Sequence, residues 1–109
     1  MATLFKNKVL KNVGKEPVDA LITSPSQRAT VIGLSLTNLT PSFVYVDILI
    51  QDDESSTGYY LKETVLPANT SLRAVSTGEK LIVAPSNKVQ IRASVDDSVD
   101  VVISYVEIV

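Results

Sequence analysis

Apolar and polar residues alternate along most of the chain with a period of two, and the longest such run is the last, Ser98 to Val109. Val99, Val101, Ile103 and Tyr105 fall on one side of a pleated strand and Val102, Val106 and Ile108 on the other, so both sides are apolar. An ordinary half-exposed strand keeps one polar face, so this one requires two covers. One is the domain's own core; the other is a second sheet, the N-terminal segment or a neighbouring subunit. Phe43 to Ile50 repeats the pattern, with Val44, Val46, Ile48 and Ile50 opposed to Phe43, Tyr45 and Leu49. If these two strands are neighbours in one sheet, their surplus faces form a single continuous patch.

The other segments are shorter strands bounded by turn residues. Ala29 to Leu39 places Ile32, Leu34 and Leu36 on one face against Val31, Gly33, Ser35 and Thr37, a half-buried pattern. Glu16 to Thr23 sets Val18, Ala20 and Ile22 against Pro17, Asp19 and Leu21, closed by Ser24-Pro25-Ser26. Tyr59 to Leu66, Leu72 to Val75, Lys80 to Ala84 and Val89 to Ala93 follow, punctuated by Pro67-Ala68-Asn69, Ser76-Thr77-Gly78 and Pro85-Ser86-Asn87. No long window carries the helical period. The expectation is an all-β chain with little or no helix, a single antiparallel, jelly-roll-like β-sandwich of about eight strands. Residues 1–14 are read as an N-terminal strand or docking arm, its lysines discouraging stray strand pairing, and residues 15–109 as the sandwich.

Composition narrows the function. A chain of 109 residues, 45% hydrophobic and 20% charged, suffices for one globular core. Ten basic and twelve acidic residues are dispersed, leaving a net charge of −2 and no footprint for nucleic acid or an anionic membrane. There is neither cysteine nor histidine. That excludes disulfides and thiolate metal sites, and removes the commonest general base and the usual partner of a nucleophilic serine. No apolar run approaches a spanning helix, and Met1 to Val13 alternates lysine with apolar residues where a signal peptide has a continuous core. Synthesis and retention in the cytosol are expected.

The candidate chemistry is sparse. Asp52-Asp53-Glu54 and Asp96-Asp97-Asp100 could meet at one end of a sandwich as paired carboxylates or a cation site. Both lie in turns, where acids accept backbone hydrogen bonds, and the first lacks the spacing and glycine of a calcium loop. Ser104 has no histidine and no nucleophile-elbow glycines around it, and reads as a hydroxyl in or beside the core. Tyr45, Tyr59, Tyr60 and Tyr105 suit packing, a protein interface or a sugar platform, although the tryptophan that such platforms favour is absent. The Asn38-Leu39-Thr40 and Asn69-Thr70-Ser71 triplets match the glycosylation pattern by chance. No catalytic, cofactor-binding or metal-ligating residue is assigned.

Several stretches carry a resemblance: Leu4-Phe5-Lys6-Asn7-Lys8, Val31-Ile32-Gly33-Leu34-Ser35-Leu36-Thr37-Asn38, Leu66-Pro67-Ala68-Asn69-Thr70-Ser71-Leu72, Gly78-Glu79-Lys80-Leu81-Ile82-Val83 and the tail from Ser98 to Ile108. On these the chain resembles small virion structural proteins of tailed bacteriophages, departing where Ser86-Asn87 replaces a usual glycine or aspartate. The resemblance implies a small β-sandwich incorporated in many copies at the head-to-tail junction (collar or neck), on the tail, or as capsid decoration. It implies assembly in the host cytoplasm, in contact with portal, neck, tail or major capsid proteins. The expectation is therefore a non-enzymatic homo-oligomer of the virion, without cofactors, nucleic acid or membrane. A host receptor- or glycan-binding module is the alternative from another class. The interface residues expected are Phe5, Phe43, Tyr45, Leu49, Val102, Val106 and Ile108.

Overall fold

The computed structural model describes residues 2–76 and 78–109. The chain forms β1 (Thr3–Val13), β2 (Val18–Ile22), β3 (Arg28–Asn38), β4 (Val44–Gln51), β5 (Thr57–Leu66), β6 (Ser71–Val75), β7 (Leu81–Val83), β8 (Lys88–Ala93) and β9 (Val99–Ile108), with no helix among the described residues. One sheet has the order β1-β9-β3-β6, with the short β7 also pairing β3, and the other has the order β2-β8-β4-β5. Every pairing is antiparallel. The pairs nest: β1 with β9, β2 with β8, β3 with β6 and β7, and β4 with β5 at the centre. A long antiparallel hairpin rolled onto itself makes this order, and it defines a jelly roll. The count is nine strands against about eight expected: each segment read as a strand from residue 16 onward is present, and the N-terminal segment adds β1.

The two sheets close over one core. Val31, Leu34, Leu36, Val99, Val101 and Ile103 from the first sheet meet Val44, Val46, Ile48, Leu66, Val89 and Ile91 from the second, all buried. In β9 and β4 the odd-even alternation is kept as read from the sequence: Val99, Val101, Ile103 and Tyr105 are buried, as are Val44, Val46 and Ile48.

Bulges correct the reading of two other strands. In β3 the register with β9 slips between Val31 and Gly33, so Ile32 is an extra residue. Ala29 and Val31 point inward before the bulge, and Leu34 and Leu36 after it. Ile32, expected on the face of Leu34 and Leu36, is 43% exposed on the outside. In β2 the slip falls between Asp19 and Leu21, so Ala20 and Leu21 are both buried and Ile22, expected with Ala20, faces solvent. One inserted residue inverts the facing of everything beyond it.

A buried asparagine joins two loops at one end of the sandwich. Asn38, at the end of β3, is 1% exposed. Its Nδ2 donates to the carbonyls of Ser42 (2.8 Å), Leu66 (3.0 Å) and Pro67 (3.1 Å), and its Oδ1 accepts from Thr40 N–H (2.9 Å) and Thr40 Oγ1 (2.8 Å). The β3–β4 and β5–β6 loops are held together through this one side chain, and the Asn-Leu-Thr triplet has a structural role.

Candidate interaction surfaces

The seven residues expected at an interface divide between the two outer faces of the sandwich. Because β9 and β4 belong to different sheets, their surplus faces lie on opposite sides of the molecule, and the single continuous patch that neighbouring strands would have made does not form. The strands stack through the core instead.

The outer face of the β1-β9-β3-β6 sheet carries Phe5, Val102, Val106 and Ile108. Residues directly opposite in an antiparallel pair share a face, so Phe5 lies beside Val106 and Val9 beside Val102 on β1 and β9. Phe5 is 79% exposed and Val102 41%, while Val106 and Ile108 are half-buried. Across β3 the same face continues with Thr30, Gly33, Ser35 and Thr37, opposite Val106, Ser104, Val102 and Asp100. Ile82 on β7 and Ile32 in the bulge, both exposed, extend its apolar area. Strand β1 covers the edge of β9, not its face. That outer face stays open.

A depression of about 330 Å³ interrupts this face, lined by Ile32, Gly33, Ser35, Ser71, Arg73, Ser76, Val102 and Ser104 among others. Its origin is topological. β7 pairs with β3 at Ala29–Val31 and β6 at Leu34–Thr37, so between them the bulged edge at Ile32 and Gly33 has no neighbouring strand. Gly33 adds no side chain to fill the space; a Cβ built there meets only Ser104 Cβ, at 3.8 Å. Ser104 is thus a half-buried hydroxyl on an outer wall. Arg73 is the one charged residue lining the depression.

The outer face of the β2-β8-β4-β5 sheet carries Phe43, Tyr45 and Leu49 in a different setting. Phe43 and Tyr45 meet edge to face, with ring centroids 5.5 Å apart, and Leu49 is half-buried opposite Tyr59. Charges occupy the middle. Arg92 Nε donates to Asp47 Oδ2 at 2.8 Å, and its other arm donates to Tyr59 Oη at 2.9 Å. The Asp47 hydrogen bond is the largest influence raising the Arg92 pKa above its ordinary value. Asp47 Oδ1 also accepts from Glu63 N–H, which sits in a bulge of β5 with φ of 46°, and Gln90 donates to Asp19 at 3.0 Å. The polar groups at the middle of this face are satisfied by one ion pair and its hydrogen bonds. Its exposed apolar residues are divided between one end, holding Phe43, Tyr45 and Val65, and the other, holding Ile22 and Tyr59.

The two acidic clusters do not meet. Asp52-Asp53-Glu54 forms the β4–β5 loop at one end of the sandwich, and Asp96 and Asp97 lie in the β8–β9 loop at the other. Asp52 Oδ1 accepts from Glu54 and Ser56 N–H (both 2.9 Å), Asp96 Oδ1 from Lys15 N–H and Asp100 Oδ1 from Asn12 N–H (both 3.0 Å). These carboxylates shape turns, and among the described residues no group of three or more acids is placed to hold a metal.

On the edge strand β1, two of the lysines expected to discourage stray strand pairing face inward. Lys6 and Lys8 pair with Tyr105 and Ile103, so they share the inward face. Lys6 Nζ reaches Glu107 at 3.2 Å, and Lys8 Nζ comes within 3.5 Å of the Asp19 carbonyl on β2. Inward lysines on an edge make pairing with a further strand unfavourable, since their charge would be trapped against an apolar neighbour.

No protein-family model matches the chain, and no curated protein does. Among solved structures it is similar to a chain of the Bacillus endospore appendages, described as disulfide-linked pili, with a TM-score of 0.56 and 10% identity over 96% of this chain and 86% of that one. It is also similar to a chain of the T13 IBDV viral particle, with a TM-score of 0.55 and 9% identity over 96% of this chain. It spans only 30% of that viral chain. At such identities the likeness is one of fold alone.

Proposed function

We propose that the protein is a non-enzymatic structural component of a bacteriophage virion, built into the particle in many copies through the outer face of the β1-β9-β3-β6 sheet. One observation carries this reading: a domain with a complete core of its own also presents exposed apolar side chains along one sheet face, Phe5, Val9 and Val102 with Ile32 and Ile82, set among hydroxyl-bearing residues. Exposed apolar surface on that scale marks an interaction site. The opposite face is divided at its middle by the Asp47–Arg92–Tyr59 network, which keeps its exposed apolar residues apart. The sequence resemblance to tailed-phage virion proteins supports the setting, and the fold shared with a viral-particle chain fits it.

Within the particle, the head-to-tail junction or the tail is the preferred position, with assembly in the host cytoplasm and with portal, neck or tail proteins as neighbours. Immunogold labelling of purified particles tests this: label at the collar or along the tail is expected. Label over the capsid lattice would reassign the chain as a decoration protein, and its absence from purified particles would overturn the proposal.

A further inference from the structure

We infer that the N-terminal arm, Ala2 to Leu10, is exchanged between copies of this chain, the arm of one copy lying along the β9 edge of another in the register it takes on its own. The inference rests on the many-copy role proposed above and adds a second contact to that of the outer face.

Strand β1 divides into an anchor and an arm. Val13 is 2% exposed and belongs to the core. The backbone around it is pinned: Ser98 N–H donates to the Val13 carbonyl at 3.1 Å, Ala93 N–H to the Gly14 carbonyl at 2.8 Å, and the Asn12 and Lys15 N–H groups to Asp100 and Asp96. The arm is different. Every residue from Ala2 to Val9 is exposed and Leu10 is half-buried, so the arm adds little to the core. It is held by its backbone ladder to β9, by Lys6 on Glu107 and by Lys8 on the Asp19 carbonyl.

A bulge separates the two parts. The register jumps from Leu10 opposite Val101 to Val13 opposite Val99, and Lys11 and Asn12 fall in the gap, Asn12 with φ of 55°. Asparagine tolerates that left-handed backbone better than most residues. Here the arm pivots while the anchor stays in place. Nine extended residues reach about 30 Å, enough to cross to a touching neighbour of a molecule whose shorter dimensions are 27 and 22 Å.

The β9 edge selects this arm and its register. Lys6 Nζ lies 3.2 Å from Glu107 Oε2, and Gln27 Nε2 donates to the other oxygen of that carboxylate at 2.9 Å, so the receiving group is held from its own side. A slip of one residue would turn Lys6 and Lys8 outward and leave Glu107 without its cation. The strand that fits this edge is β1, and every copy carries one. Contacts between copies would equal those within one, so local concentration decides the exchange. The inward lysines discourage a further strand, so each edge receives a single arm and the sheet does not grow.

Disulfide trapping tests this, because the chain has no cysteine and introduced thiols are the only ones present. Leu4 and Glu107 stand opposite each other on the inward side of the sheet, where contact between outer faces does not join them. Leu4→Cys and Glu107→Cys are made as separate chains, checked for folding by circular dichroism, unfolded together in urea, refolded and oxidised. At about 1 mM, near the effective concentration of a short tether, mixed disulfide dimers should outnumber either like-with-like dimer by at least about tenfold, since opposed positions on paired strands lie within disulfide reach. Refolding at about 1 μM returns each arm to its own chain, and the excess should vanish. Mixed dimers at only the share that random collision gives, at the higher concentration, overturn arm exchange and leave assembly through the outer face standing. Failure of the particle labelling with mixed dimers still in excess removes the virion role alone.

Discussion

Replacing Asn38 by alanine removes a side chain that is 1% exposed and makes five hydrogen bonds between 2.8 and 3.1 Å. Nδ2 has two hydrogens for three carbonyls, so at least one of its bonds is shared, and the Ser42, Pro67 and Thr40 partners regain some hydration when the side chain is gone. At about 1 kcal/mol per bond, discounted for sharing and hydration, the loss comes to about 3 kcal/mol, a large part of the roughly 5–15 kcal/mol that holds a small domain together. For a chain of this size that lowers Tm by roughly 10–20 °C. Urea unfolding followed by far-ultraviolet circular dichroism measures it, with the slope of the transition unchanged if only the native state is affected. A loss below about 1 kcal/mol would refute the idea that this side chain ties the two loops together. Asn38→Asp sharpens the test. Its carboxylate would face three carbonyls, so the fold favours the protonated form and raises the folded pKa above the unfolded value near 3.9. Stability should then be best at acid pH and fall as pH rises through the folded pKa, the reverse of an ion-paired aspartate.

Three further outcomes follow from the packing. Ile103→Asp should prevent folding, because an unpaired charge would enter the core, whereas Val102→Asp on the next residue should leave the melting curve within a few degrees and abolish self-association; equal loss of folding in both would mean that the outer face is internal. Gly14→Ala should destabilise by about 1–3 kcal/mol, since its Cβ would stand 2.8 Å from the Asp96 Cα and Oδ1, and an unchanged urea midpoint would show that the turn yields freely. The pair Lys6→Val with Lys8→Val removes the inward charges from the β1 edge, and light scattering should grow at concentrations where the parent stays clear; no change would assign edge protection elsewhere.

Much of the strand pattern was legible in the chain because, where a strand is regular, alternation by itself states which side chains share a face. Val99, Val101, Ile103 and Tyr105 are inward in β9, as are Val44, Val46 and Ile48 in β4, and the loop at Asp52 to Ser56 lies where its acids and serines put it. Ile22 and Ile32 were misplaced because a bulge leaves no mark in the local pattern: it arises when a strand must fit neighbours of different register. Asn38 stood out in the sequence only as the first residue of an Asn-Leu-Thr triplet. Its role required the β5–β6 loop, whose Leu66 is 28 residues away, to come within 3.0 Å. The depression at Arg73 needed more still, since it depends on where β7 ends and β6 begins along the edge of β3.

By itself, then, the sequence determined an all-β sandwich, a chain with no histidine or cysteine for catalysis, and two strands with apolar residues on both faces. These are properties of composition and of the two-residue period, and every regular strand of such a sequence carries them whatever its neighbours. The tertiary structure decided which sheet each strand joined. With β9 and β4 in opposite sheets, one surplus face became an open surface of apolar and hydroxyl-bearing residues around a depression lined by Arg73, and the other was divided by the Asp47–Arg92–Tyr59 network. Sheet membership rests on pairings between residues far apart in the chain, and no local pattern encodes them.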